Sequence, residues 1–234
     1  MISNWNIKPT FWQKYFKIIR NILVGRRDDL LSKEVIKLIK KIKLKKNKIL
    51  DIGSGPHAII ASKLLEYNNK IIDRIDCYDF YSKKYISDFN KTNIKIKLHH
   101  INNLNKRKSR YDFCLLLDVL HHIDLKKKEK IKILLNSIFE KSRFLIIKDH
   151  MQKNFLEKIL LIIMDISGNI KDAVKIVPNY FNIKTLSDFA KENNLEVLII
   201  KKNIFYYNYF FNLIFRNSLH FLGVFKKINY KSKK

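Results

Sequence analysis

The residues of this chain that are able to do chemistry sit where apolar runs stop. Lys48-Ile49-Leu50 stops at Asp51 and is followed by Ile52-Gly53-Ser54-Gly55-Pro56-His57; Asp79 follows Arg74 to Tyr78, and Asp118 follows Tyr111 to Leu117. Asp149 and His150 close a further run from Phe144. Glycine reaches backbone conformations that a Cβ forbids and lets a ligand approach the main chain, which is the use assigned to Gly53 and Gly55 around Ser54. Pro56 suits a first helical position, where its missing N–H would be unpaired anyway. Asp149 beside His150 could work as an acid/base pair, because histidine titrates near neutrality; a structural ion pair with nearby lysines is the alternative. His121 and His122 are adjacent, so they cannot both face one point on a helix, and no metal site is expected from them. Cys77 and Cys114 lie inside apolar runs without metal-ligand spacing and read as buried thiols of a reducing compartment.

Those residues need elements to position them. Val35, Leu38, Ile39 and Ile42 share one face of a helix over 29–44, and a crossover helix over 57–67 turns Ile60, Leu64 and Leu65 inward. Strands are predicted at 48–51, 74–78, 94–98, 111–117, 144–147, 195–200 and 219–225; the fourth is apolar almost throughout, as a strand buried on both faces should be. Between them come a helix capped by Asp124 and carrying Ile131, Leu134, Leu135 and Ile138, a helix over about 154–166, a loop through Gly168 and Pro178, and a helix opened by Thr185 with Asp188. Strands alternating with helices imply right-handed βαβ units and a parallel sheet, with ligands outside the carboxyl ends of the strands. Asp51, Asp79, Asp118 and Asp149 all converge on that edge.

Residues 1–28 are set apart as an aromatic amphipathic helix, with Thr10 and Gln13 as a capping-box signal and Phe11, Tyr15, Ile18 and Ile22 on one face. Three uses stay open for it: docking on the core, covering the acceptor pocket as a lid, or lying on a membrane surface. Residues 29–234 are expected to form one domain.

Asp51-Ile52-Gly53-Ser54-Gly55 resembles the acid-x-Gly-x-Gly loop of class I S-adenosylmethionine-dependent methyltransferases, with His57 in place of the usual third glycine. The segment from Tyr111 to His122, above all its ending Asp118-Val119-Leu120-His121-His122, is similar to the family's fourth-strand motif. The resemblance spans roughly residues 29–225 and implies an α/β, Rossmann-like, doubly wound seven-stranded sheet, mostly parallel with an antiparallel last strand. It implies S-adenosyl-L-methionine as cofactor, held by Asp51, Gly53, Ser54, Gly55, Asp79, Phe80, Asn102 and Asp118. Asp79 takes the place of the acid that binds both ribose hydroxyls, a task that suits an acceptor-only carboxylate, and Asp76 is its rival. Phe80 would pack on the adenine, Asn102 and Asn103 would lie near its amino group, and Asp118 near the methionine part. His122, Asn179 and Tyr180 would line the acceptor side with Asp149 and His150. A nucleotide-cofactor oxidoreductase stays open, since Gly53-x-Gly55-x-x-Ala58 also fits a dinucleotide fingerprint, as do a non-catalytic cofactor-binding protein and an RNA methyltransferase.

The formal net charge of +27 suggests nucleic acid, but the lysines alternate with isoleucine and asparagine from end to end instead of clustering. The acceptor is expected to be small or lipid-like: Asp118-Val119-Leu120-His121 lacks the prolines of adenine-N6 enzymes, and neither cysteine sits where a cytosine-C5 nucleophile is needed. Aromatic stretches at Phe11 to Phe16, Tyr180-Phe181 and Tyr206 to Phe211 could wall an apolar pocket. No apolar run reaches the eighteen or so residues that span a bilayer, so the chain is expected to be cytoplasmic, with peripheral membrane contact as an option.

Overall fold

A computed structural model describes residues 27–55, 57–106, 109–123, 128–169, 179–204 and 217–228. Residues 1–26 of the expected aromatic helix over 1–28, Pro56, the Asp124 cap, Pro178 and the stretch from Tyr206 to Phe211 lie outside the described residues.

Seven strands form one sheet in the order β3-β2-β1-β4-β5-β7-β6. They are β1 (Asn47–Ile52), β2 (Ile72–Asp79), β3 (Ile96–His100), β4 (Tyr111–Leu117), β5 (Ser142–His150), β6 (Leu195–Lys202) and β7 (His220–Lys227). Pairing is parallel throughout except that β7 runs antiparallel to both β5 and β6. The order reverses between β1 and β4, so the carboxyl ends of those strands border the crevice where open α/β sheets bind ligands.

Helices cover both faces. On one, α1 (Arg27–Lys41) and α2 (Ile59–Asn68) bury Leu31, Val35, Leu38, Ile39, Ala61 and Leu64 against Ile49, Ile75 and Phe113. On the other, α4 (Lys128–Lys141) and α6 (Ile183–Glu192) bury Ile131, Leu135, Ile138 and Phe189 against Leu50, Cys114 and Leu116. Strand β4 feeds both layers with alternate residues, which is why its sequence has so little polar punctuation. Helix α5 (Phe155–Asn169) packs Leu161 against Tyr180 and Leu219 in a smaller cluster.

Several expected boundaries move for physical reasons. Ile94 is 89 % exposed and precedes β3, which starts at Ile96, where inward-facing Ile96 and Leu98 are buried. Helix α3 (Lys83–Thr92) was not expected: it has no fully buried residue and only Tyr85, Ile86 and Phe89 touch the core. Ser82 caps it, accepting from the Tyr85 N–H. Helix α6 is opened by Asn182 in a capping box with Thr185, so Thr185 is its third residue and not its cap.

Candidate functional site

The crevice has two halves. The first is built on the loop after β1, where Gly53 and Gly55 have φ of 74° and 73°, a region that L side chains rarely enter. A Cβ on Gly53 would stand 2.6 Å from Val119 Cγ2, whereas a Cβ on Gly55 would project into open space. Gly53 thus lets the two halves approach, and Gly55 keeps a bare patch of main chain facing the crevice. The loop is held from β2 and the turn behind it. Asp79 Oδ2 accepts from Gly55 N at 2.8 Å, its Oδ1 accepts from Phe80 N at 2.7 Å, and the Tyr81 hydroxyl donates to Gly55 O at 2.7 Å while bonding Ser54 Oγ at 2.6 Å. Where a third glycine was expected, His57 is exposed and the tight position falls one residue later: Ala58, fully buried, takes φ 46° at the start of α2.

Asp51, one residue before the end of β1, is nearly buried, and its Oδ2 has no hydrogen-bond partner. Burial, reinforced by the charge of Asp79, pushes its carboxyl up to about 7. Asp76, the rival of Asp79, is buried and occupied: it meets His99 Nε2 at 2.7 Å, Arg74 at 2.7 Å and the Tyr111 hydroxyl at 3.0 Å. Phe80 is 75 % exposed beside the loop, edge-on to His100 at 6.0 Å, and the exposed Asn102 donates its N–H to His100 Nδ1. Asp51, Gly53, Ser54, Gly55, Asp79, Phe80 and Asn102 are therefore on one side of the crevice.

The second half lies at the ends of β4 and β5 and is a buried polar cluster. Asp118, with φ 58°, ion-pairs with Arg27 of α1 and with the fully buried Lys148 of β5. Burial would raise its carboxyl, but the two cations hold it well below the usual carboxylate range. Asp149 is wholly buried and does not pair with the His150 ring; it accepts from Leu120 N (3.0 Å), His121 N (3.2 Å) and His150 N (2.7 Å) and meets His121 Nδ1 at 2.8 Å. It pins the short 3-10 turn of residues 120–122 to β5. The His150 ring instead faces Asp165 of α5 at 3.3 Å and His220 of β7 at 3.1 Å, and the Tyr180 hydroxyl donates to Asp165 at 2.6 Å. Burial opposes charge on every one of these imidazoles; Asp149 nonetheless raises His121, while His150 and His220 are lowered.

Asp51 Oδ2, near the end of β1, and His122 Nδ1, Gln152 Oε1 and Asn179 Nδ2, in the segments after β4 and β5 or before α6, are buried atoms without a hydrogen-bond partner; Asn47 Oδ1, Arg74 Nε and Ser142 Oγ are others, away from this edge. Buried polar atoms are nearly always paired, and the four at this edge are open to partners that a ligand would supply. The sequence-predicted residues separate accordingly, with His122, Asn179 and Tyr180 on the far side from the glycine loop. Tyr81, Arg27, Lys148, Asp165 and His220 were not foreseen. Only partners brought from distant strands and helices mark them.

No protein-family model matches this sequence, and no curated protein sequence matches it. Solved structures do. Magnesium protoporphyrin IX methyltransferase (ChlM) from Synechocystis PCC 6803, with bound SAH, superposes with a TM-score of 0.54 at 14 % identity over 95 % of this chain and 90 % of its own. An S-adenosylmethionine-dependent methyltransferase from Clostridium acetobutylicum ATCC 824 gives 0.54 at 11 % identity over 93 % of this chain and 99 % of its own. The pyocyanin biosynthetic protein PhzM gives 0.59 at 12 % identity over 92 % of this chain and 61 % of its own. Together with the strand order and the antiparallel seventh strand, these similarities establish that the chain has the class I S-adenosylmethionine-dependent methyltransferase fold.

Proposed function

We propose that the protein transfers the methyl group of S-adenosyl-L-methionine to a small or lipid-like acceptor. The observation that carries this reading is the glycine loop locked by Asp79 at the strand-order reversal, with unpartnered Asp51 Oδ2 beside it. Each Asp79 oxygen already holds a main-chain N–H, which fixes the carboxylate and leaves further lone pairs on both oxygens for two ribose hydroxyls. Gly55 offers a nucleoside bare backbone, Phe80 an exposed ring for the adenine with Asn102 near its edge, and Asp51 a carboxylate for the cationic amino-acid end.

The bound cofactor supplies an activated methyl on a sulfonium. What the chain must do is align an acceptor atom with that carbon and exclude water. On this reading His122 and Asn179, each with an unpartnered buried nitrogen, and Tyr180 contact the acceptor, while Asp118 borders the methionine part of the cofactor. Asp149 keeps the His121–His122 turn in place; with His150 it forms part of the wall on the acceptor side. Helix α5 exposes an apolar row of Phe155, Leu156, Ile159, Ile163 and Ile166, which favours an acceptor of lipid-like character and peripheral contact with a membrane.

Labelled cofactor offered side by side with total RNA, DNA and a small-molecule and lipid extract tests the reading. Methyl incorporation into the extract is expected; incorporation confined to nucleic acid would overturn the acceptor class, and no binding of S-adenosylmethionine or its demethylated product would overturn the activity.

A further inference from the structure

We infer that the amino edge of the sheet, opposite the crevice, is a surface for the phosphodiester backbone of a nucleic acid, bound without base readout. Lysines that are scattered along the sequence are gathered by the fold. Parallel strands joined by crossovers all start at one edge, so cations placed just before successive strands become neighbours. Lys43, Lys45 and Lys46 lead into β1, Lys70 precedes β2, Lys95 precedes β3, and Arg143 is the second residue of β5; all six are exposed. The pairing sets their places. Asn47 N donates to Ile71 O at 2.8 Å, which puts Lys46 beside Lys70, and Ile75 N donates to Lys95 O at 2.8 Å. Lys95 Nζ donates to Asn69 O at 3.1 Å, so its ammonium stands at the turn that carries Lys70. On the other side of β1, Lys48 N donates to Asp112 Oδ2, and Tyr111 pairs with Ser142, next to Arg143. The edge thus crosses β3-β2-β1-β4-β5, a span of about 19 Å at roughly 4.8 Å per strand.

None of the six cations forms an ion pair with a described residue. The acids close to them in the chain are Asp73, Asp112, Glu140 and Glu66, and Glu66 is paired with Lys63. The crevice edge is made differently: Asp51, Asp79, Asp118, Asp149 and Asp165 line it. Charge is therefore polarised along the strands, and a polyanion is drawn to the amino edge and away from the crevice. Ile94 and Ile228 are exposed at the two ends of that edge, and between them the described strand starts and the turns before them expose no large apolar side chain. The exposed phenyl rings, Phe80 and Phe155, follow β2 and β5 at the crevice edge. A row of cations with neither an apolar centre nor an exposed ring fits phosphates, which carry no sequence information; a protein interface wants a packed apolar core, and a membrane contact wants inserted apolar side chains. A nucleic acid bound there holds the protein and leaves the crevice open.

This surface stands apart from the methyl-transfer reading, and its test needs no cofactor. The full-length protein is titrated with a labelled single-stranded RNA of mixed sequence over about 50–200 mM salt. Lys46→Gln, Lys70→Gln and Lys95→Gln together should weaken binding about tenfold or more at the low-salt end and lower the salt slope by about 2, since each phosphate contact on a single strand contributes about 0.7. Lys153, Lys184 and Lys202 are exposed at the opposite edge. Lys153→Gln, Lys184→Gln and Lys202→Gln together remove the same charge and should change affinity by less than about threefold. A second RNA of unrelated sequence should bind like the first. Equal losses in the two triple variants would reduce the effect to net charge and overturn the surface. So would no RNA binding by the wild type, a strong preference between the two RNAs, or a loss of anionic-vesicle binding in the amino-edge variant with RNA binding unchanged. If that variant does not fold, lysine acylation of the wild type with and without RNA decides: protection of Lys46, Lys70 and Lys95 beyond that of Lys153, Lys184 and Lys202 supports the surface, and even protection overturns it.

Discussion

At the scale of single residues, the glycine loop makes two distinguishable demands. Gly53→Ala meets both an unfavourable φ and a Val119 methyl at 2.6 Å, so it should destabilise the fold by about 2–4 kcal/mol in chemical denaturation. Gly55→Ala meets no atom and should cost only the backbone strain of about 1–2 kcal/mol, yet its methyl enters the crevice and should reduce cofactor affinity. Asp79→Ala removes a charged hydrogen-bond acceptor worth about 1.5–3 kcal/mol to a bound ribose, so affinity should fall roughly ten- to a hundredfold by calorimetry. Wild-type affinity in that variant would dissociate Asp79 from the cofactor.

Asp51 links the site to pH. Its carboxyl is faced by Asp79, and the buried thiols of Cys77 and Cys114 and the Tyr81 hydroxyl lie nearby. With its folded pKa raised from 3.8 to about 7, the native state binds more protons than the unfolded chain between those values. This contribution to stability is therefore full at acid pH and lost as pH rises toward about 7. Asp51→Asn should flatten that part of the profile and raise the unfolding temperature at pH 8 relative to the wild type. A cationic ligand settling beside Asp51 should release a proton near neutrality, seen by calorimetry in buffers of different ionisation enthalpy; heats independent of the buffer would place the cation elsewhere.

At the scale of elements, α1 joins the core to the crevice. It buries Leu31, Val35, Leu38 and Ile39, and its first residue, Arg27, reaches Asp118. The division proposed at residue 28 thus cuts inside a helix. A chain beginning at Arg27 should fold and bind cofactor; if residues 1–26 cover the acceptor pocket, it should lose turnover. Loss of folding would instead place those residues in the core. Arg27→Ala should be the more damaging change to stability, since it strips a partner from a buried carboxylate next to buried Lys148.

At the scale of the whole molecule, charge and fold point in different directions. A net charge of +27 attracts any polyanion, so weak binding of RNA that collapses with salt is expected and says nothing about the acceptor. No helix among the described residues is long and apolar enough to cross a membrane. The apolar row on α5 offers a surface contact instead: anionic vesicles should retain the protein more strongly than neutral ones, and Ile159→Glu with Ile163→Glu should reduce retention by both.

The sequence by itself determined the strand-helix alternation, the glycine loop, the acids at the carboxyl edge and, through β4, the strand buried on both faces. These are local signals of period, turn chemistry and composition, and they remain readable when the chain is extended. Helix α3 was missed although Ser82 caps it and Tyr85, Ile86 and Phe89 share one face, because so short an apolar stripe between polar residues also suits a loop, and the opening of α6 was misplaced because Asn182 and Thr185 reciprocate as a capping box. Only the tertiary structure decided that Asp76 is consumed by His99, Arg74 and Tyr111, leaving Asp79 to meet the loop, and that Asp149 serves His121 while His150 turns to Asp165. A side chain's partner depends on which strands become neighbours, and parallel pairing across long crossovers brings together residues whose separation along the chain carries no trace of the contact.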